Sequence, residues 1–144
     1  MQAVEESRGF ATSSHVAWDE LDPLGVLHHS RFALHVDRSF GGVLEAMGFG
    51  YSSDPEIHPD RHHVVAELSM TYREPVSRPG PVLVHFSLES LTAQSLSTAF
   101  VVRDPDSDIV FAEGIRTAVH VDRSTMRPTP WSDEFRDRVH ELMT

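Results

Sequence analysis

Between residues 30 and 47 the apolar side chains Phe32, Val36, Phe40, Val43, Leu44 and Met47 recur at steps of three and four, which draws one stripe along an amphipathic helix. Gly48 stands where such a helix ends. Arg31, His35, Arg38 and Glu45 fall on the opposite face. Gly41 and Gly42, each costing about 1 kcal/mol relative to alanine inside a helix, imply close packing against a sheet. Downstream the period changes to two: Val64, Ala66, Leu68, Met70 and Tyr72 alternate with Glu67, Ser69, Thr71 and Arg73, the pattern of a strand with one buried face. Val82, Val84, Phe86 and Leu88 repeat it against His85, Ser87 and Glu89, and a third strand is predicted over 96–103. After the turn at 104–108 a further strand spans 109–121, with a bulge expected where the alternation breaks at Glu113 and Gly114. A short strand at 15–18 precedes all of these, and Ser132 caps a closing helix carrying Phe135, Val139 and Leu142. One long helix followed by a run of antiparallel strands predicts an α+β fold, the helix lying across a curved antiparallel sheet.

At 144 residues the chain fits a single domain, 1–144, with about 1–12 expected as a flexible N-terminus. A domain of this size builds a real core, but a deep site is expected to need a second subunit, so an oligomer is predicted. Hydrophobic residues at 40% and charged residues at 24% are those of an ordinary globular protein, and no run spans a bilayer. Glu5 and Glu6, with no apolar run near them, argue against a secretory leader, which leads to the expectation of a cytoplasmic protein. The net charge of -10 argues against nucleic acid as a partner. With no cysteine there is no disulfide framework, thiolate metal site or cysteine nucleophile.

The chemistry concentrates in Asp22-Pro23-Leu24-Gly25-Val26-Leu27-His28-His29-Ser30-Arg31-Phe32. It delivers a carboxylate and two imidazoles immediately before the helix. First-turn amides of a helix lack intrahelical partners and carry partial positive charge, so they suit a developing oxyanion. Pro23 and Gly25 bend the chain so that Asp22 turns back toward the His29 amide, where it attacks a carbonyl or activates water to do so. Asp37 falls near the edge of the apolar stripe, lining the site or facing solvent. His58, Asp60, His62 and His63 lack strong ligand spacing and read as a surface cluster, so no metal is expected. Gly48-Phe49-Gly50 fails the dinucleotide pattern, and Gly50-Tyr51-Ser52 lacks the last glycine of a serine nucleophile elbow.

The Asp-x-x-Gly-Val-x-x-His loop, the helix bearing Asp37, Tyr72-Arg73-Glu74-Pro75 after the first long strand and Ala112-Glu113-Gly114 with Val119-His120-Val121 resemble the hotdog-fold thioesterases of the 4-hydroxybenzoyl-CoA thioesterase type. The resemblance implies hydrolysis of an acyl-CoA or acyl-carrier-protein thioester without a cofactor. It assigns catalysis to Asp22 and His29, the latter through its amide and as a second candidate through its side chain, and substrate binding to Gly25, Val26, His28 and Asp37. It also implies a homodimer or homotetramer in which sheets join edge to edge and each site borrows residues from a neighbour. The chain departs from the usual pattern at Gly80-Pro81, where Gly-Asp is common, and at Ser30-Arg31-Phe32, where Gly-Asn-Tyr is more usual. Two other functions fit the same fold: an enoyl-CoA hydratase, whose Asp and His normally lie five apart where Asp22 and His29 lie seven apart, and a non-catalytic acyl-binding or assembly module.

Overall fold

The computed structural model describes residues 8–51, 54 and 56–144. Five strands, β1 (Phe10–Val16), β2 (His63–Tyr72), β3 (Gly80–Leu91), β4 (Ser95–Arg103) and β5 (Val110–His120), form one antiparallel sheet in the order β1-β3-β4-β5-β2. The long helix α1 (His29–Met47) packs on β1 and β3, and the closing helix α2 (Asp133–Met143) packs on β3 and α1. This is the expected α+β hotdog arrangement. No helix among the described residues is long and apolar enough to cross a membrane.

The core sits between the α1 stripe and the inner face of the sheet. Phe32, Val36, Phe40, Val43, Leu44 and Met47 are all buried, and they meet Val82, Val84, Phe86, Phe100 and Val102. Phe40 and Phe86 make an edge-to-face pair at 5.5 Å. Gly48 ends α1 in the left-handed conformation, as its position predicts. Of the paired glycines, Gly42 has the close neighbour that the sequence implied, since a Cβ there would lie 3.0 Å from Thr12 Cγ2; Gly41 has none within 4 Å and borders a cavity. Ser132 caps α2, its hydroxyl accepting from the Phe135 amide at 3.1 Å, while Asp60 Oδ1 and Oδ2 accept from the Ser132 amide and hydroxyl, each at 2.7 Å.

Four expectations about the strands change. Phe10, Ala11 and Thr12 are not a terminal arm: they open β1, paired with Phe86, His85 and Val84 in a stretch too polar to read as a strand. The predicted strand at 15–18 accordingly begins earlier and gives way at Trp18–Glu20 to a 3-10 turn. Gly114 itself marks no bulge, since the register runs straight through it; the β5 irregularity falls at Phe111, between the Val102–Ala112 and Arg103–Val110 pairs, while at 114 a Cβ would lie 1.9 Å from the Ser69 carbonyl oxygen, so only glycine fits between β2 and β4. A further irregularity in β2 falls between Val65 and Glu67, which shifts its two-residue repeat by one. His63 and Val65 therefore pair with His120 and Ala118, and Leu68, Met70 and Tyr72 with Arg116, Gly114 and Ala112. In this single chain β2 is largely exposed rather than buried on one face.

His35, placed by sequence on the solvent side of α1, is buried. Its Nε2 lies 2.8 Å from Glu20 Oε1 and its Nδ1 lies 2.6 Å from Ser14 Oγ, while Glu20 Oε2 accepts from the Ala17 amide at 2.7 Å. A helix, a strand and the turn between them are thus tied through one ring. Burial pushes the Glu20 carboxyl up, but the Ala17 amide, the His35 ring and Arg38 outweigh it and hold the group below the usual glutamate range. Its contribution to stability is then complete above the unfolded value of 4.5 and is lost as pH falls through the lower folded value. Glu20→Gln is expected to lower the unfolding free energy at neutral pH by about 1–3 kcal/mol, and to reduce its acid dependence below pH 4.5, both measured by urea unfolding across pH.

Candidate active site

The loop between β1 and α1 folds by local bonds. The Asp22 amide donates to the Val26 carbonyl and the Gly25 amide to the Asp22 carbonyl, both at 2.8 Å. Gly25 sits at φ 79 with no atom within 4 Å of where a Cβ would be, so glycine is required there for backbone conformation and not for space. Asp22 Oδ1 accepts from the Leu24 and Val26 amides at 2.8 and 3.3 Å, and Oδ2 has no partner among the described residues. Leu21 and Leu27 bridge the base of the turn, and the Leu27 amide donates to the Val76 carbonyl at 2.8 Å. Gly25 and Val26 therefore shape the Asp22 carboxylate, and one of its two oxygens stays available. No hydrogen bond joins Asp22 to the His29 amide; the turn's own amides take that place.

His28 caps α1, with Nδ1 accepting from the Ser30 amide at 3.2 Å and lying 2.8 Å from Ser30 Oγ. His29 is the first residue of the helix, where amides precede the intrahelical ladder. Its ring is exposed, 4.2 Å from that of His28 and 6.2 Å from that of Tyr72, whose hydroxyl donates to the His29 carbonyl at 3.3 Å. Tyr72 thus joins the end of β2 to the start of α1, a contact that no local sequence pattern displays.

Asp37 lies eight residues further along α1 than His29, about 12 Å of axial rise. Its Oδ1 accepts from Arg116 Nε at 3.0 Å, and Arg116 Nη2 lies 3.1 Å from His63 Nε2. The guanidinium carbon sits 4.1 Å from the centre of the Phe40 ring. These residues line a cavity of about 540 Å³ together with Arg61, His62 and Arg123. Neither Asp22 nor His29 lines it, so within one chain the predicted residues fall into two groups. Asp60, expected at the surface beside these histidines, is buried because it anchors Ser132. Arg116 carried no special weight in the sequence. Its signal was there, however: it shares the inward set of β5 with Ala112, Ala118 and His120, all buried, where a charge needs a partner.

Burial and the Arg116 charge together pull the His63 imidazole down to about 4, so the ring is neutral and its Nε2 accepts from the guanidinium. Burial, Arg61 and Arg123 likewise hold His62 below the usual histidine range. Because unfolded His63 takes a proton near 6.5 and the folded residue only near 4, its contribution to stability is full above 6.5 and is lost as pH falls toward 4. His63→Gln is expected to flatten the fall of unfolding free energy across this window, as measured by chemical denaturation; an unchanged slope would contradict the neutral assignment.

The family model described as the thioesterase-like superfamily matches residues 16–139. Among solved structures, a Pseudomonas aeruginosa protein superposes with a TM-score of 0.82 at 19% identity, over 97% of this chain and 95% of that one. A 1,4-dihydroxy-2-naphthoyl-CoA thioesterase from Synechocystis gives 0.77 at 12% identity, over 92% and 96%. A DHNA-CoA thioesterase from Staphylococcus aureus gives 0.77 at 15% identity, over 91% and 88%. No curated protein matches the chain. At these identities the solved structures speak for the shared fold, and the family match runs from the last residue of β1 into α2, through both the Asp22 loop and the Arg116 cavity: the chain belongs to the thioesterase-like superfamily.

Proposed function

We propose that the protein is a cytoplasmic thioesterase of the 4-hydroxybenzoyl-CoA thioesterase type, which hydrolyses an acyl-CoA or acyl-carrier-protein thioester with Asp22 as nucleophile or general base. The observation that carries this reading is the Asp22 turn: a carboxylate fixed through Oδ1, with Oδ2 unpartnered among the described residues, on the loop that leads into the start of α1. In the nucleophilic route Oδ2 attacks the thioester carbon, the carbon–sulfur bond breaks with release of thiolate, and water hydrolyses the resulting anhydride. In the alternative route Asp22 takes a proton from water as the water attacks. In either case the His29 amide at the helix start receives the developing oxyanion, with His28, Gly25 and Val26 holding the loop that faces substrate.

The site is completed by a second copy. On its outer side β2 pairs with no strand among the described residues, and it exposes Val65 at 42% and Tyr72 at 49% along a ten-residue edge. Such an edge is a template for pairing. Antiparallel pairing of β2 with its own copy about a two-fold axis sets the Tyr72 end of one protomer, with His29 and the Asp22 loop, opposite the His63 end of the other, with Asp37 and its cavity. The two groups of residues that one chain keeps apart then share one cleft.

Because the protein contains no cysteine, a thiol-reactive dye reports only the thiol released from substrate. Hydrolysis is expected with members of an acyl-CoA panel, and Asp22→Asn is expected to lower turnover by roughly 10²-fold or more. Silence of the wild type across chain lengths and aryl groups would overturn the proposal, and an enoyl-CoA absorbance change without thiol would favour a hydratase. Val65→Lys is expected to turn a species of twice the chain mass into a monomer by analytical ultracentrifugation, and to lower turnover with it.

A further inference from the structure

The cavity beside Asp37 has a buried lining and an exposed one. Phe40, Leu44 and Phe49 are buried, as is Arg116, which Asp37 and His63 engage. On the solvent side stand Arg61, half-buried, and Tyr51, Arg123 and Met126, all exposed. Arg61 Nη1 donates to the Gly50 and Tyr51 carbonyls at 3.4 and 3.3 Å, and its guanidinium carbon lies 5.4 Å from the centre of the Tyr51 ring. Tyr51 itself is 93% exposed. Arg123 makes no hydrogen bond or ion pair among the described residues. Its neighbour Asp122 is turned the other way, Oδ1 accepting from the Ser124 amide and hydroxyl and the Thr125 amide at 2.9, 2.6 and 3.1 Å. The same turn holds Met126 in the left-handed conformation at φ 59, its amide donating to the Asp122 carbonyl at 2.7 Å, so backbone geometry sets both Arg123 and Met126 at the cavity. Arg61 and Arg123 flank one imidazole: after burial, these two guanidiniums and then His120 hold His62 below the usual histidine range. Two cations gathered beside a ring they keep neutral call for an anion.

We infer that the exposed lining of this cavity is a nucleotide subsite, in which Arg61 and Arg123 receive phosphate groups and the Tyr51 ring stacks on a base, so that the thiol carrier is CoA rather than an acyl-carrier protein. The inference rests on the thioesterase reading above and names the carrier. Guanidiniums match phosphate oxygens in geometry as well as charge. Here they stand on two separate segments, which suits the separate phosphate groups of the CoA nucleotide. An exposed aromatic ring beside a guanidinium is a platform on which a base can stack. The phosphopantetheine arm of a carrier protein bears one phosphodiester and no base, so it leaves Tyr51 and one arginine without a role; a carboxylate does the same. The nearby acids do not compete for these two arginines, since Asp37 is engaged by Arg116 and Asp60 by Ser132.

The test has a binding arm and a turnover arm, each run on the wild type, Arg61→Gln, Arg123→Gln, Tyr51→Ala and, as a charge control on the exposed side of α2, Arg138→Gln. In the first, adenosine 3′,5′-bisphosphate is titrated by calorimetry, and its Kd is expected to rise about tenfold in each arginine variant, less in Tyr51→Ala and not at all in Arg138→Gln. In wild-type protein the bisphosphate is also expected to raise the pH at which the His62 ring titrates in NMR, because bound phosphate offsets the repulsion from Arg61 and Arg123, whereas adenosine leaves it in place. In the second, one acyl group is compared on CoA and on N-acetylcysteamine, which lacks the nucleotide. The arginine variants are expected to lower kcat/KM for the CoA thioester by about tenfold and to keep that for the N-acetylcysteamine thioester within about twofold. Unaltered bisphosphate binding and an undiminished preference for CoA in all three variants would overturn the subsite while leaving hydrolysis standing. Inorganic phosphate bound as tightly as the bisphosphate, with no effect of Tyr51→Ala, would overturn the nucleotide assignment by reducing the site to a plain anion site. A carrier-protein thioester turned over in preference to the CoA thioester would overturn the choice of carrier. Bisphosphate binding that the arginine variants weaken, in a protein that turns over nothing, would uphold the subsite and remove the hydrolase.

Discussion

The seating of α1 on the sheet is the constraint from which the other features follow. Its stripe from Phe32 to Met47 is buried along its whole length, and at its centre Phe40 touches Phe86 on one side, His63 on another and the Arg116 guanidinium on a third. One aromatic ring thereby joins the apolar core to the charged cavity. Within the sheet the strands approach so closely at Gly114 and Ser69 that a side chain on Gly114 would be forbidden. Once the helix is seated, its first residue and the Asp37 position are fixed at two separate points of the same axis.

The elements with strong periodicity were legible in the chain. The α1 stripe, the alternation of β3 and β4, the Ser132 cap and the Gly48 terminus all follow from spacing and residue type, because burial of one face leaves a regular imprint. The failures have a common cause in tertiary contact. His35 looks solvent-facing by helical spacing, yet Glu20 and Ser14 supply the polar partners that let it be buried. Asp60 looks like a loop acid until Ser132, distant in sequence, arrives at both of its oxygens. The β2 pattern reads as uninterrupted alternation, and only pairing with β5 reveals the irregularity next to Ala66.

The candidate site divides along the same line. Asp22, Gly25, Val26, His28 and His29 were legible because their geometry is made within a few residues of sequence. Tyr72 and Arg116 were not, since each acts across the fold, one from the edge strand and one from its neighbour β5. The resemblance to hotdog thioesterases supplied the chemistry proposed for the loop; it did not single out Arg116, which the fold buries beside Asp37 and His63.

Every hydrogen bond to the Asp22 carboxylate closes between residues 22 and 26. A carboxylate organised so locally carries its orientation into any assembly and surrenders little conformational entropy when a neighbour docks against it. In the proposed β2-edge dimer, association would have only to bring a cleft to the Asp22 carboxylate already oriented, and variation in that cleft would change the molecules admitted without disturbing the carboxylate.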